Sequence, residues 1–407
     1  MTIPMLDLKA EYAYMKRDID AAIARCLEHQ RWILGPEVTE FENRAAGYIG
    51  VKHCIGASSG TDALVLALRG LAIEIKGDDY FDRSDLIITT PFTFTATGDA
   101  ILRAGATPLF VDIDPITYNI EPVLIRSCLE SFPRSLSPVA SRPSQVVGIL
   151  PVHLYGQSCS MKEIMRVAHE YGLFVVEDVA QAFGCSVDGR KLGSIGNAGA
   201  FSFFPSKNLG GFGDAGMVAT DDDKLAGIIR MLLKHGGKDK YNVDHIGYNA
   251  RIDTIQAAIL LAKLGYIDEF NERRTQIASY YSEGLSDLAD IVLPFARNSA
   301  NEAGDSSGHV FHQYTLRIKQ GKRDYLQNGL KAGGVDSMVY YPVPLHKMKV
   351  FQGRCTIQGN LEGAELAADE VLSLPMEPLM ERPECMRIVD IVKNTVSSGR
   401  ECHVQEQ

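Results

Sequence analysis

The chain has 407 residues and a mass of 44.6 kDa, which fits one large domain and a smaller one better than a single small module. Acidic residues outnumber basic ones, 51 against 41, and the net charge of −10 argues against nucleic acid or an anionic membrane as a partner. The sequence has no membrane-spanning run, no secretory signal and no C-x-x-C pair among its eight cysteines, so we expect a cytoplasmic protein with reduced thiols and no bound metal.

From about residue 50 to 220, short apolar, β-rich segments alternate with helical patterns. Several of these segments are apolar almost throughout, as expected for strands that are buried on both faces of a sheet. The alternation predicts an α/β fold with a large, mostly parallel sheet and helices on both sides. The predicted strands are Leu86–Thr90, Pro108–Ile113, Val146–His153, Leu173–Glu177, Ala200–Phe204 and Gly216–Thr220, and the predicted helices are Asp62–Leu71, Ala96–Ala104 and Met161–Tyr171.

The C-terminal third predicts a small α+β domain. Apolar residues recur at helical spacing over Ile252–Leu285, which indicates one long helix that leaves the large domain. We divide the chain into a large domain, residues 1–255, a linking helix with a small domain, residues 256–393, and a disordered polar tail, residues 394–407. Shorter elements are predicted at His312–Ile318, Arg323–Ala332, Ser337–Tyr341 and Asn360–Val371, and two insertions without an assigned function at Ile75–Asp85 and Phe132–Gln145.

Three short motifs carry candidate chemistry. The first is Ser59-Gly60-Thr61, which opens a predicted helix after a short apolar run. Small residues at a helix N-terminus leave backbone N–H groups and the positive end of the helix dipole available to a phosphate. Ordinary capping of the helix by a serine or threonine explains the same pattern.

The second and third motifs each follow a predicted strand. Asp178 follows an apolar strand at the edge where α/β sheets bind ligands. Its carboxylate suits a protonated ring nitrogen or a metal ion. Acids are also common at strand ends simply because strands end at solvent. Lys207 precedes a loop with three glycines in four positions. If the lysine is buried there, its amine could form a Schiff base, whereas the alternative is an ordinary solvated lysine. A lysine, an acid and a phosphate cradle are together what pyridoxal 5'-phosphate (PLP) requires.

Further motifs identify the sequence as similar to the DegT/DnrJ/StrS sugar aminotransferases, over roughly residues 3–393. This resemblance implies a PLP-dependent fold of type I, like that of aspartate aminotransferase, with a large mostly parallel-sheet domain and a small C-terminal α+β domain. The motifs that carry the resemblance are Trp32–Glu37, Ser59–Leu64, Thr93–Thr97, Val111–Asp114, His153–Gln157, Glu177–Gln181, Ser202–Gly210, Asn249–Asp253 and Tyr341–His346.

The resemblance implies a role for each matched residue. Lys207 matches the Schiff-base lysine, and Asp178 matches the acid that pairs with the pyridinium nitrogen. The other implied cofactor contacts are Ser59, Gly60, Thr61 and Ser202 at the phosphate, Phe94 stacked on the ring, Gln181 near its hydroxyl and Asn249 from a partner subunit. The implied substrate contacts are Arg251 from that same partner segment, Tyr340 and His346. A homodimer with shared active sites follows from this assignment.

The resemblance also implies the reaction. Relatives that dehydrate their sugar have a histidine in place of Lys207, so the lysine favours transamination, with L-glutamate as the amino donor. The sequence is most similar to enzymes for 3-keto nucleotide sugars, such as UDP-2-acetamido-2-deoxy-3-oxo-glucuronate in lipopolysaccharide and O-antigen synthesis. Tyr340 stands where that uronate enzyme has a histidine, which leaves a neutral 3-keto hexose on UDP or dTDP open.

Other functions remain as alternatives to this prediction. A 4-keto nucleotide sugar is a second substrate, and a non-catalytic PLP-binding regulator of the same fold is a different class of protein. A P-loop or dinucleotide enzyme lacks support, because the sequence has neither G-x-x-x-x-G-K-[ST] nor a G-x-G-x-x-G that opens a helix.

Overall fold

The computed structural model describes residues 2–131, 145–237, 239, 241–294 and 308–404. The helices are α1 Leu8–His29, α2 Pro36–Ile49, α3 Gly60–Leu71, α4 Thr95–Arg103, α5 Pro122–Ser131, α6 Met161–Tyr171, α7 Asp223–Leu232, α8 Thr254–Leu264, α9 Ile267–Leu285, α10 Arg323–Ala332, α11 Glu362–Glu370 and α12 Arg382–Val404. The strands are β1 His53–Ala57, β2 Asp85–Thr89, β3 Thr107–Phe110, β4 Gln145–Ile149, β5 Phe174–Asp178, β6 Ser186–Val187, β7 Arg190–Lys191, β8 Ala198–Ser202, β9 Gly216–Thr220, β10 Ile291–Val292, β11 Tyr314–Ile318, β12 Thr356–Ile357 and β13 Val371–Leu374. Short helical turns lie at Ala72–Lys76, Leu154–Gly156, Leu345–Lys347 and Lys349–Phe351.

A central sheet has the strand order β1-β9-β8-β5-β4-β2-β3-β12. The pairs from β8 to β12 are parallel, whereas β9 runs antiparallel to both β8 and β1. The predicted mostly parallel sheet is therefore confirmed. Because β5 lies between β8 and β4, the residues at its carboxyl end are surrounded by neighbouring strands and loops.

Successive residues of the central strands pack against opposite layers of helices. Ile88 and Val175 belong to one apolar cluster with α2, α6 and α8, while Ile87 and Val176 belong to a second cluster with α3, α4 and α7. The strands are buried on both faces, which explains why their sequences are apolar almost throughout.

The predicted long helix over residues 252–285 is wrong in one respect. Helix α8 ends at Leu264, and α9 begins at Ile267 after a break at Gly265 and Tyr266. Glycine is a poor helix former, and the two halves pack on different cores. Helix α8 packs against α1 and α2, whereas α9 packs against α12 in the C-terminal part of the chain.

The C-terminal part contains a small antiparallel sheet of β10, β11 and β13, with α9, α10 and α12 around it. The predicted strand at Ser337–Tyr341 is reduced to a single bridge between Met338 and Ser373. Helix α12 continues to Val404, so the backbone of residues 394–404 is helical where the sequence indicated a disordered tail. The insertion predicted at residues 132–145 lies, apart from Gln145, outside the described residues.

Strand pairings cross the predicted domain boundary in both directions. Strand β12 pairs with β3 of the large sheet, and Ile3 near the N-terminus pairs with Val335 of the small domain. A boundary at residue 255 remains a proposal. No helix among the described residues is long and apolar enough to cross a membrane.

Candidate active site

Asp178 lies at the carboxyl end of β5 and is buried. Its Oδ2 accepts a hydrogen bond from the Thr97 hydroxyl at 2.9 Å, and its Oδ1 accepts one from the Ala180 N–H at 3.2 Å. Burial raises the pKa of Asp178, while these hydrogen bonds and the charge of Lys207 act in the opposite direction. The carboxylate is thus fixed in orientation and lies in a site where a buried cation would be a favourable partner.

Lys207 follows β8, the neighbour of β5 in the sheet. Burial lowers the pKa of Lys207 to about 8, and the negative charge of Asp178 opposes this effect. The lysine lies in a tight turn, in which a Cβ atom at Gly210 would come within 2.3 Å of the Pro205 carbonyl oxygen. The glycine-rich loop therefore holds a lysine whose neutral, nucleophilic form is accessible near physiological pH.

The predicted phosphate cradle is assembled from two separate segments. Ser59 caps α3 by accepting a hydrogen bond from the Asp62 N–H at 3.1 Å, and Gly60 is the first residue of that helix. A Cβ atom at Gly60 would lie 2.5 Å from the Cβ atom of Ser202, so the two residues are in close contact. The N-terminus of α3 and the Ser202 hydroxyl thus lie together, as an anion site requires.

The predicted ring contacts lie around Tyr341. Gln181 donates from Nε2 to the Tyr341 hydroxyl at 3.0 Å, and its Oε1 accepts a hydrogen bond from the Tyr155 N–H at 2.8 Å. The ring of Phe94 lies 6.0 Å from that of Tyr341 and is 55% exposed. Gln181 is therefore fixed, while Phe94 offers an exposed aromatic face.

Asn249 and Arg251 lie next to the end of β1. The Ala250 carbonyl between them accepts a hydrogen bond from the Ser58 N–H at 2.8 Å, and Ala250 itself is buried. Asn249 is exposed, and Nη2 of Arg251 donates to its Oδ1, so both side chains lie on the same side of the segment. That Asn249 and Arg251 contribute to the active site of a partner subunit remains a proposal.

The two other predicted substrate residues lie in different surroundings. The carbonyl of Tyr340 accepts a hydrogen bond from the Tyr155 hydroxyl, which holds Tyr340 beside the Gln181 and Tyr341 pair. His346 lies 3.0 Å from Glu365 of α11, and its Nδ1 is buried without a hydrogen-bond partner. Its role in binding substrate stays a prediction.

Sequence reasoning gave no role to His312, which joins the site from the segment before β11. Its Nδ1 lies 3.0 Å from Oδ1 of Asn208, the residue after Lys207, and Asn208 also donates to Asn271 at 2.8 Å. Burial lowers the pKa of His312 well below its ordinary value, and the charge of Lys207 adds to this effect. A neutral histidine thus helps to hold the loop that carries Lys207. His312 is too distant from Lys207 in sequence for a local motif to connect the two.

Glu177 and His153 form a second buried pair behind Asp178. Nε2 of His153 lies 3.2 Å from the Glu177 carboxylate, which also accepts hydrogen bonds from the N–H groups of Gly193, Ile195 and Gly196. Burial raises the pKa of Glu177, but the hydrogen bonds outweigh it and the pKa falls below its ordinary value. The pair anchors the strand end that carries Asp178.

Among the described residues, Cys26, His29 and Glu37 are close enough to share a metal ion, with ligand atoms within 4.8 Å of one another. Nδ1 of His29 accepts the Arg31 N–H at 3.0 Å, so the proton on Nε2 faces Glu37 at 3.0 Å. The arrangement is a satisfied histidine–carboxylate hydrogen bond and requires no metal.

The sequence profile of the DegT/DnrJ/EryC1/StrS aminotransferase family matches residues 13–393. The chain belongs to this family. A pleiotropic regulatory protein of Geobacillus stearothermophilus is 41% identical over 96% of this chain and 97% of its own. A UDP-N-acetyl-3-dehydro-alpha-D-glucosamine 3-aminotransferase of Acidithiobacillus ferrooxidans is 40% identical over 97% and 98%.

Comparison with solved structures confirms the DegT/DnrJ/EryC1/StrS fold. The crystal structure of DesV from S. venezuelae, in complex with a ketimine intermediate, superimposes with a TM-score of 0.85. The two sequences are 38% identical, and the match covers 97% of this chain and 98% of DesV. The protein is therefore a PLP-dependent aminotransferase.

The residues present fit the cofactor of the DegT/DnrJ/EryC1/StrS family. Gly60 and Ser202 are in close contact, as the predicted phosphate cradle requires, and a pKa of Lys207 near 8 suits reaction with an aldehyde. Asp178 is buried and held by two hydrogen bonds, as a partner for a protonated ring nitrogen should be. The predicted cofactor is confirmed, while the role of each individual residue remains a prediction.

Proposed function

We propose that this aminotransferase transfers an amino group from L-glutamate to a 3-keto nucleotide sugar. The observation that supports the proposal is the position of the half-buried Lys207 close enough to the buried Asp178 for each charge to affect the pKa of the other. A lysine with a pKa of about 8 can both accept and release a proton near neutral pH. An acid in place of the lysine, or a fully solvated lysine, would not support this chemistry.

The proposal assigns a role in the reaction to each residue of the site. When bound, PLP supplies the electron sink that makes a proton on the neighbouring carbon acidic. Lys207 would move that proton, and Asp178 would pair with the ring nitrogen and favour its protonated form. Ser202 and the N-terminus of α3 would hold the phosphate, and Gln181 and Phe94 would contact the ring.

A neutral sugar fits the substrate side of the site. The Acidithiobacillus ferrooxidans relative is named for a neutral 3-keto sugar on UDP. Tyr340 is half-buried beside Tyr341, and a phenol has no cationic form, so this position offers no cation to a uronate. We therefore favour a 3-keto hexose on UDP or dTDP, whose amino product would serve polysaccharide synthesis in the cytoplasm.

A homodimer completes the proposal. The side chains of Asn249 and Arg251 lie on one side of their segment, and Asn249 is exposed. Large exposed apolar side chains lie in the same part of the chain, as expected for a surface that a second copy covers. They are Tyr241, Val243 and Ile246, which precede Asn249, and Ile33, which pairs with Asp253.

A panel of 3-keto and 4-keto nucleotide sugars, each on UDP and dTDP, tests the substrate with glutamate as donor. Mass spectrometry should detect amination of neutral 3-keto sugars first. Amination of 4-keto sugars alone would contradict the proposed position on the sugar.

The regulator alternative rests on the Geobacillus stearothermophilus relative of 41% identity. The cofactor's colour separates the two functions. In an enzyme, the yellow colour should fade with glutamate and return with keto sugar, and the Lys207→Ala variant should show neither change. A yellow protein that glutamate never bleaches would favour the regulator.

A further inference from the structure

The acidic insertion at Ile75–Asp85 contacts Arg69, the buried arginine in the last turn of α3. The ring of Tyr80 lies 3.6 Å from the guanidinium carbon, and Nε of Arg69 donates to the Asp79 carbonyl. A buried guanidinium needs acceptors for its N–H groups and is stabilised by an aromatic face. The insertion supplies both.

The same groups also hold a segment that is distant in sequence. Nη1 of Arg69 donates to the Tyr248 hydroxyl at 2.6 Å, and Nη2 donates to the Ile246 carbonyl at 2.8 Å. The Asp79 carboxylate accepts from the Ile246 N–H at 3.2 Å and from Nδ1 of His245. Both backbone polar groups of Ile246 are therefore bound, although its side chain is 64% exposed.

This segment leads directly into Asn249 and Arg251. Tyr248 is fixed further by its N–H, which donates to the Leu232 carbonyl at 2.7 Å, and one residue later the exposed Asn249 begins the partner-facing pair. Residues 245–248 thus fix the chain where it enters Asn249, and the backbone of Asn249 and Arg251 is held further by pairing with Lys234 and Ala57. Burial raises the pKa of Asp79, but its hydrogen bond to His245 outweighs this and the pKa is lowered, so the carboxylate stays charged.

We propose that Arg69, Asp79 and Tyr80 form a clamp that positions Asn249 and Arg251 for the active site of the partner subunit. The clamp rests on the proposed shared site. Helix α3 then has two functions, because it begins at the phosphate cradle of its own chain and ends at the clamp that presents the arm, residues 241–251, to the other chain. The clamp residues are positioning residues and touch neither cofactor nor substrate.

The first experiment compares Asp79→Ala with Asp78→Ala, since Asp78 is exposed in the same insertion and is its matched control. PLP is the probe, and the yellow absorbance of the lysine-bound cofactor reports its dissociation constant. Loss of hydrogen bonds to a charged group should weaken PLP binding of Asp79→Ala at least about fivefold. Backbone hydrogen exchange at residues 245–251 should accelerate in the same variant.

Two results would overturn the clamp. The first is PLP binding and hydrogen exchange in Asp79→Ala equal to those of Asp78→Ala. The second comes from Tyr80→Leu, which removes the stacked ring and keeps the carboxylate, and which serves if Asp79→Ala does not fold. Unchanged hydrogen exchange of the arm in a folded Tyr80→Leu protein would contradict the proposal.

A second experiment determines which subunit's active site is impaired by Asp79→Ala. Differently tagged variants are unfolded and refolded together, and mixed dimers are isolated by both tags. Asp79→Ala paired with Lys207→Ala should give one site of wild-type PLP affinity, because the intact lysine meets an intact arm. Asp79→Ala paired with the double variant Asn249→Ala, Arg251→Ala should give none, because each site then receives a defective arm.

The pairings separate the clamp from the shared site. A wild-type site in the pairing of Asp79→Ala with the double variant would show that the lesion acts outside the arm and would overturn the clamp. Absence of any wild-type site when Lys207→Ala is paired with the double variant would instead refute the shared site on which the clamp rests.

Discussion

The chemistry of Lys207 depends on its surroundings. Burial lowers its pKa to about 8 from 10.5, so the neutral amine should predominate above about pH 8. We expect the rate at which the apo-protein binds PLP covalently to rise with pH around this value. Stopped-flow absorbance between about pH 6 and about pH 10 measures it.

The Asp178→Asn variant is the control for that titration. The charge of Asp178 raises the pKa of Lys207, so its removal should move the midpoint below that of the wild type. A midpoint near 10 in the wild type, or an upward shift in the variant, would contradict the geometry of the pair.

Asp178 should matter more for turnover than for cofactor binding. Its replacement by asparagine removes the charge that, in our proposal, keeps the ring nitrogen protonated, and a hydrogen bond to a charged group is worth about 1.5–3 kcal/mol. We expect kcat to fall at least about tenfold, with a smaller change in PLP affinity. Steady-state kinetics measures this, and turnover close to wild type would remove Asp178 from the mechanism.

Tyr340 tests specificity at the scale of a single side chain. The Tyr340→His variant introduces a group that can carry a positive charge, so preference should shift towards a 3-keto uronate. The ratio of kcat/KM for the uronate and for the neutral sugar reports the shift. A wild-type protein that already prefers the uronate would require another cation, with Arg251 the first candidate.

At the scale of elements, the N-terminus of α3 should tolerate no side chain at residue 60. A Cβ atom in Gly60→Ala would lie 2.5 Å from the Cβ atom of Ser202, so the two halves of the predicted phosphate cradle must separate. We expect PLP to bind at least about tenfold more weakly, since a difference of about 1.4 kcal/mol is tenfold in affinity. Titration of the apo-protein with PLP checks this.

The matched control is Gly227→Ala in helix α7. This glycine is exposed, and a Cβ atom there would meet nothing within 4 Å. Alanine should therefore raise the free energy of unfolding by up to about 1 kcal/mol and leave PLP affinity unchanged. A loss of affinity in both variants would show a general effect of glycine replacement and not a closed cradle.

At the scale of the whole molecule, two inactive variants should complement each other. Neither Lys207→Ala nor the double variant Asn249→Ala, Arg251→Ala should be active alone. Their mixed dimer contains one site with both defects and one with none, so activity should recover to at most about half of the wild-type dimer. Mixed dimers that form without any recovery would assign each site to one chain.

The sequence alone determined the local parts of the site. Lys207 and Asp178 follow apolar strands, Gly60 opens a helix, and each signal lies within a few neighbouring residues. Strand periodicity and helix capping depend on such neighbours, which is why the mostly parallel sheet and helices such as α6 and α10 were predicted at nearly their observed bounds.

Tertiary structure decided the contacts between distant segments. Thr97 reaches Asp178 across 81 residues, and Asn208 reaches His312 across 104. The carboxylate of Asp79 accepts a hydrogen bond from the Ile246 N–H across 167 residues. This contact fixes the insertion at Ile75–Asp85, in which the sequence shows no motif. Strand order and the packing of α8 and α9 on different cores bring these residues together. Periodicity and capping describe one element at a time, whereas these contacts exist only after several elements have packed against one another.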